Sequence, residues 1–302
     1  MKKILYNVKW FAVIAFPMLA SFSSCSKEEL DPQSIITVDK VDYTPFDYWL
    51  QRNYVAPYNI EFKYRYDDKE SDMDYYTIPA RYDASVILAH LVKYLCIEAY
   101  DEVAGIEFTR SYFPKMIFTI GEWEYRNNGT FILGTAEGGR KILLSGTNYV
   151  EQYMGNADDL NEYYLRTIHH EFTHILNQTK DYPADFKLIT GSSYVADSWS
   201  EIGLVDGYLQ RGFITAYAQH SDVEDFAEML SMYICNSESV WDGYMAQAGS
   251  TGSQLLAAKL DMVRDYMMTA FNTDIDKLRA AIQRRQKDVV AGRVDLMDLT
   301  VK

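Results

Sequence analysis

Three of the chain's five histidines and a glutamate lie in the segment TIHHEFTH, residues 167–174. On a helix, His170 and His174 are four positions apart, so both imidazoles lie on one face and can reach one small cation. Glu171 is offset around the helix, where it can accept a proton from a water on that ion. This is the HExxH pattern of two zinc ligands and a general base, in which zinc lowers the pKa of its water to roughly 7. The segment predicts a catalytic site with one zinc ion.

Two nearby residues, His169 and Lys180, do not supply the third zinc ligand. His169 points about 100° away from His170 around the helix, so we predict a core residue, or one that supports a ligand. A third histidine six residues after His174 would extend the motif to HExxHxxGxxH, but that position holds Lys180. A catalytic zinc needs three protein ligands and an open position, so the third ligand must lie elsewhere.

The segment TAYAQHSDVEDFAEMLSMY, residues 215–233, is the best source of that ligand. Its EDFAE portion places Glu224 and Glu228 one turn apart on a predicted helix. We predict that Glu224 binds zinc and that Glu228 accepts a hydrogen bond from a ligand histidine and fixes its tautomer. Glu228 and His220 are the alternative third ligands.

Ser221 and Tyr217, in the same segment, each allow two interpretations. Ser221 and Glu224 form an S-x-x-E capping box, which would account for both residues without a metal. Tyr217 lies seven residues before Glu224, and we predict that its hydroxyl is catalytic and stabilises the developing oxyanion. The alternative is that it is one of 25 tyrosines without such a role.

The elements that must position these residues indicate an α+β fold with a mainly helical C-terminal part. The run 83–105 is apolar nearly all round and predicts a long helix buried against a sheet. The motif helix is predicted from about 158 to about 178. Further strands are predicted at 59–68, 115–121, 129–135 and 140–146, and further helices at 223–236, 253–270 and 274–290.

One predicted strand lies shortly before the motif helix and suggests a substrate-binding edge. Zinc peptidases commonly place a sheet edge beside the metal, where an extended substrate adds as a further strand. We predict residues 141–147 as that edge. The alternative is an ordinary edge strand.

The first residues resemble a bacterial lipoprotein signal. A basic start is followed by an apolar run, Trp10 to Ala20, that is too short to span a bilayer. Cys25 then follows two serines, and we predict that it carries the lipid. The predicted divisions are a signal peptide at 1–24, a lipid-anchored linker at 25–40 and a single catalytic domain at 41–302. The alternative is an ordinary signal peptide with an incidental cysteine.

Charge and cysteine content exclude some classes of function. Removal of residues 1–24 takes away three lysines and no acids, so the net charge falls from −14 to −17. A chain this acidic does not bind nucleic acid or anionic lipid through its overall field, so its acyl chains must hold it at a membrane. Cys96 and Cys235 lie in apolar runs, which favours two buried thiols over a disulfide.

With its lipoprotein start, its HEFTH helix and its EDFAE helix, the chain resembles the substrate import-associated zinc metallohydrolase lipoproteins of Bacteroidetes. The resemblance covers nearly the whole mature chain, including residues 46–68. It implies a gluzincin-like zincin fold: a small twisted mixed sheet packed on the long helix and the HExxH helix. It also implies genes beside a TonB-dependent importer and its glycan-binding lipoprotein. SKEEL after Cys25 is similar to an export signal, which indicates an outer-membrane lipoprotein exposed at the cell surface.

These features together predict a surface-anchored zinc metallopeptidase that acts on peptides or glycoproteins in association with nutrient import. One alternative is a non-catalytic binding lipoprotein that keeps a zinc ion, although Glu171 as a base argues against it. Another alternative is a zinc amidase that hydrolyses a different kind of bond.

Overall fold

The computed structural model describes residues 42–72, 74–126, 131–137 and 139–301, with the side chain of Glu137 left out. Cys25, the predicted signal peptide at 1–24 and the predicted linker at 25–40 lie outside the described residues. The chain from Tyr43 onward forms one unit by its internal contacts. None of the described helices is long and apolar enough to cross a membrane.

The strands are short and all precede residue 145 in the described part of the chain. Four of them form one sheet in the order β1-β2-β6-β5, in which β1, β2 and β6 are parallel and β5 is antiparallel to β6. The other two form an antiparallel pair. The strands are β1 (Glu61–Lys63), β2 (Met116–Thr119), β3 (Glu124–Tyr125), β4 (Phe131–Ile132), β5 (Gly134–Glu137) and β6 (Lys141–Leu144).

The two central strands are buried on both faces, which explains their unbroken apolar sequences. Consecutive residues of β2 point to opposite faces, so Ile117 packs into the main core while Phe118 packs on the other side. In β6, Leu143 joins Phe118 and Ile120 in that smaller cluster. Both strands therefore lie inside the sheet, and neither is an edge.

The prediction that residues 141–147 form the substrate-binding edge is wrong. β6 pairs with β2 on one side and with β5 on the other, so its backbone is already hydrogen-bonded. The run predicted as one strand at 129–135 contributes to two strands. Of these, β4 pairs with β3, and β5 pairs antiparallel with β6. Gly139, at φ 67°, lies in the turn that reverses the chain between them. The edge strands of the described sheet are β1 and β5, and β5 is the one that contacts the motif helix.

The helices follow the predicted order. They are α1 (Pro45–Leu50, Gln51–Val55 as a π-helical turn, Ala56–Tyr58), α2 (Tyr82–Leu91, the π-helical Val92–Ile97, Glu98–Ala104), α3 (Ile106–Tyr112), α4 (Val150–Tyr153), α5 (Ala157–Leu160, the π-helical Asn161–Leu165, Arg166–Thr179), α6 (Asp222–Cys235), α7 (Glu238–Phe271) and α8 (Ile275–Val290). Helix α7 consists of two helical segments that meet at Gly249, whose backbone is not helical at φ 67° and ψ −174°, and the predicted helix 253–270 lies in the second segment.

Helix α2 is the buried helix that the sequence predicts. Every residue of the stretch 84–91 is buried, and so are most residues of its π-helical turn. Helix α8 packs against both α2 and α6, which joins the helical C-terminal part to the main core. Cys96 and Cys235 are buried free thiols, which confirms that prediction.

Helix α5 carries the HEFTH motif and packs against both α6 and β5. The approach of β5 to this helix depends on Gly134, because a Cβ there would lie 2.8 Å from Thr167 Cγ2 and 2.5 Å from the Leu143 carbonyl oxygen. The sheet edge therefore lies directly beside the motif helix. The α+β fold, with a small mixed sheet and a helical C-terminal part, is confirmed.

Candidate metal centre and active site

Helix α5 presents His170 and His174 on one face, as four-residue spacing requires. Their Nε2 atoms lie 3.0 Å apart, and their rings are nearly perpendicular, at 86°. His170 is buried, and the side chain of His174 is 14% exposed. Both nitrogens therefore face the same small volume at the end of a cleft.

Helix α6 brings a carboxylate to the same point. Glu224 Oε2 lies 2.9 Å from His170 Nε2 and 3.2 Å from His174 Nε2. The backbone amide of Glu224 donates to the Ser221 hydroxyl at 3.4 Å, so Ser221 caps the helix while the Glu224 side chain reaches the histidines. Only the serine half of the predicted capping box is therefore present, and the Glu224 carboxylate faces the histidines instead of closing the box.

The donor set fits a zinc ion. His170, His174 and Glu224 form the three-residue group of metal-binding side chains found among the described residues. Their donor atoms are about 3 Å apart, close to the spacing that tetrahedral bonds of roughly 2.1 Å impose. Two imidazoles and one carboxylate are also the donor types of a catalytic zinc site, which leaves a fourth position for water or substrate.

Glu228 holds His170 from the opposite side of its ring. The Nδ1 atom of His170 lies 2.7 Å from Glu228 Oε1. The second carboxylate oxygen of Glu228 accepts a hydrogen bond of 2.7 Å from the Thr215 hydroxyl. Burial raises the pKa of Glu228, but the contact with His170, the charges of Arg166 and His170 and the bond from Thr215 together lower it to about 2. An ionised Glu228 leaves His170 Nε2 free to face a cation, as the sequence predicts for a supporting acid.

Glu171 lies in the cleft between the histidines and β5, but it is not one of the three converging donors. Burial raises the pKa of its carboxyl, and the charges of His170 and His174 and the Ala136 backbone amide oppose that effect. The amide belongs to the edge strand, so the edge and the carboxylate are adjacent. A carboxylate with a raised pKa beside a metal site is suited to accept a proton.

Tyr217 lies on the other side of the site. Its ring centroid is 6.1 Å from that of His170, and its hydroxyl interacts with Glu224. Burial and the neighbouring carboxylates raise the pKa of Tyr217, so the hydroxyl keeps its proton. Trp199 packs edge-on against the Tyr217 ring at 5.2 Å and joins the wall of the cleft.

His169 and His220 take no part in the three-donor group. His169 is fully buried, and its Nδ1 lies 3.2 Å from the Tyr100 hydroxyl. Burial lowers the pKa of His169 to about 3, so it is a neutral residue of the core, as predicted. His220 is partly exposed and faces Asp197 at 3.2 Å. The structure therefore places Glu224, rather than His220, beside the two histidines.

Two supporting features of the site were not predicted from the sequence. Thr215 carries no motif, and its contact with Glu228 becomes visible only when the chain before α6 is folded. Lys259 is fully buried 2.5 Å from Asp225, the residue after Glu224. From the sequence alone, a lysine in an amphipathic helix is predicted to be exposed. Its burial becomes evident only from the packing of α7.

The site lies in a cleft of about 640 Å³ between β5, α5 and the chain before α6. The β4–β5 segment forms one wall, and α5 forms the floor. The cleft is large enough for several residues of an extended chain, since pockets for small ligands begin at about 300 Å³.

A model of the family described as "putative zinc-binding metallo-peptidase" matches residues 39–276. The chain belongs to this family. A crystal structure of a protein from Bacteroides caccae ATCC 43185, with the same description, shares 39% sequence identity and has a TM-score of 0.74. The match covers 88% of this chain and 100% of that one. No curated protein matches the chain.

Membership of this metallo-peptidase family agrees with the cofactor predicted from the sequence and with the three donors that converge in the structure. It also confirms the coarser part of the predicted resemblance, namely a zinc-binding metallopeptidase. The narrower grouping with import-associated lipoproteins stays a prediction.

Proposed function

We propose that the protein is a zinc-dependent peptidase in which His170, His174 and Glu224 hold one zinc ion and Glu171 is the general base. The convergence of the three donors at 2.9–3.2 Å, with Glu171 between them and a sheet edge, is the observation that carries this proposal. A bound zinc would polarise the substrate carbonyl and activate a water for attack.

The protein groups supply the remaining chemistry. Glu171 accepts a proton from the attacking water and then delivers it to the nitrogen of the leaving amine. The Tyr217 hydroxyl keeps its proton and can donate a hydrogen bond to the oxygen on which negative charge develops. Glu228 fixes the orientation of His170 from behind. An extended peptide would add to β5, whose outer edge carries no further strand among the described residues.

Replacement of the base separates the metal site from the chemistry. We expect Glu171→Gln to keep its zinc, because Glu171 is not a ligand, and to lose at least about a hundredfold in hydrolysis rate. Zinc content by mass spectrometry and cleavage of a defined peptide library give the two readouts. Glu107→Gln is the matched control, since Glu107 lies on α3 with its side chain 78% exposed. Full activity in Glu171→Gln would refute the assigned base.

We also propose that Cys25 carries a lipid that holds the enzyme at the outer face of the outer membrane. The predicted signal at 1–24 and the acidic charge support this proposal. There the enzyme would trim peptides or glycoproteins for a TonB-dependent importer and its glycan-binding lipoprotein. Metabolic labelling with an alkyne fatty acid should mark the full chain and fail to mark Cys25→Ala. Equal labelling of both chains would contradict the anchor.

A further inference from the structure

Arg166 is the first residue of the last segment of α5 and lies on its metal-facing side. Positions 166, 170 and 174 are spaced by four, so Arg166 precedes His170 on the same face by one turn, or about 6 Å along the helix. Its side chain lines the cleft together with His170 and Glu228. It also lines a smaller adjoining cavity of about 230 Å³ beside Tyr244.

The guanidinium of Arg166 has no carboxylate partner among the described residues. Its recorded polar contact is a weak one, 3.9 Å from Nη1 to Met232 Sδ. Arg264, Arg284 and Arg285 of the helical part form ion pairs with carboxylates, and Arg211 and Arg279 donate to uncharged oxygen atoms. A half-buried guanidinium that has five hydrogen-bond donors and no anionic partner can bind an anionic group.

The carboxylates of the cleft do not form ion pairs with Arg166. Glu224 and Glu228 face the histidines, and Glu171 takes the position of the base. Arg166 and Glu228 line the same cleft, but their side chains do not form an ion pair. The charge of Arg166 is therefore left for a group that enters from outside.

We propose that Arg166 binds a carboxylate of the substrate and so makes this peptidase selective for acidic or C-terminal segments. The inference rests on the proposed function, because it concerns the same cleft. One helical turn of about 6 Å corresponds to one or two residues of an extended peptide at roughly 3.3 Å each. The carboxylate therefore lies one or two residues from the hydrolysed bond, either at the chain terminus or on an Asp or Glu side chain.

Binding of peptide hydroxamates to the zinc-loaded full chain tests this inference without measuring activity. Three succinyl hydroxamates, each extended by two residues, differ only in charge. The first carries a Gln side chain and a C-terminal amide, the second a Gln side chain and a free C-terminus, and the third a Glu side chain and a C-terminal amide. A charge-assisted hydrogen bond contributes about 1.5–3 kcal/mol, so we expect the second or the third to bind about tenfold or more tightly than the first.

Variants of Arg166 assign that difference to its side chain. In calorimetry, Arg166→Gln should bind all three probes alike, while Arg166→Lys should keep part of the preference, since a lysine retains the charge but not the planar fork. Arg293→Gln is the control for charge, because Arg293 is 59% exposed and pairs with Asp288 away from the cleft. Zinc content is measured first for each variant, so that a lost metal is not mistaken for a lost subsite.

The outcomes separate the two proposals. A preference for the free C-terminus would indicate an exopeptidase, and a preference for the Glu side chain would indicate cleavage next to acidic residues; either one supports the inference. Equal binding of all three probes by the unmodified protein, or a preference that persists in Arg166→Gln, would overturn it and leave the zinc site intact. Failure of every probe to bind would instead contradict the zinc site, and the inference with it.

Discussion

At the residue scale, helical spacing alone separates the roles of the HHEFTH residues. The 100° step per residue places His170 and His174 together and directs His169 into the core, where the structure finds it. Helical spacing does not separate Glu224 from Glu228 in this way, because both lie on one face of α6. Their roles depend on how α6 is positioned against α5, and a single sequence does not contain that distance.

The contact between Glu228 and His170 gives a prediction at this scale. We expect Glu228→Gln to weaken zinc binding by roughly 10- to 100-fold, because the neutral amide no longer fixes the charge and tautomer of His170. Competition with a chelator of known affinity measures the change. Thr215→Val, which keeps the Glu228 carboxylate and removes its hydrogen bond from Thr215 together with the bond that the Thr215 hydroxyl accepts from the Ala218 amide, should have a smaller effect. Unchanged affinity in Glu228→Gln would show that His170 does not depend on this acid.

At the scale of elements, the helices could be predicted better than the strand order. The apolar run at 83–105 and the cap at Ser221 are local signals, and each matches a helix in the structure. The edge of the sheet is not a local property, because it depends on which strand folds back on which. The run predicted as one strand at 129–135 contributes to two sheets. The sheet edge beside the motif helix is β5 rather than β6.

The buried pair of Lys259 and Asp225 is the element-scale feature with the largest expected effect on stability. Lys259 Nζ donates to the Gly212 carbonyl oxygen at 2.7 Å and lies 4.0 Å from the Phe213 ring centroid. Through these contacts, α7 holds both α6 and the chain that leads to Tyr217. The side chains of Lys259 and Asp225 are both fully buried.

We expect Lys259→Met to lower the free energy of unfolding by about 3–5 kcal/mol, because it leaves the buried Asp225 carboxylate without a counter-charge, with the hydrogen bond from the Tyr194 hydroxyl remaining. Urea denaturation of the two proteins measures the difference. Lys277→Met is the control, since Lys277 is 77% exposed and its pairing with Asp274 should contribute less than about 1 kcal/mol. A loss in Lys259→Met no greater than in the control would show that Asp225 is satisfied without the lysine.

At the scale of the whole molecule, the metal site joins the two parts of the catalytic unit. His170 and His174 belong to α5, which follows the strands, and Glu224 belongs to the helical part that follows residue 180. The sequence predicts both parts and their order, because each has its own periodicity. It predicts an irregular chain after the motif helix but not the path of that chain, because short 3₁₀ turns such as Tyr217–Gln219 follow no apolar period.

The location of the zinc ion in a crystal of the purified protein is the most direct test of the central claim. Anomalous diffraction measured above and below the zinc absorption edge identifies the element and its position together. We predict one peak, within about 2.0–2.2 Å of His170 Nε2, His174 Nε2 and a Glu224 carboxylate oxygen, with Glu228 in contact with His170 and not with the ion. A zinc-supplemented crystal with no peak at these three residues, or with the ion held by Glu228 or His220 in place of Glu224, would contradict the account.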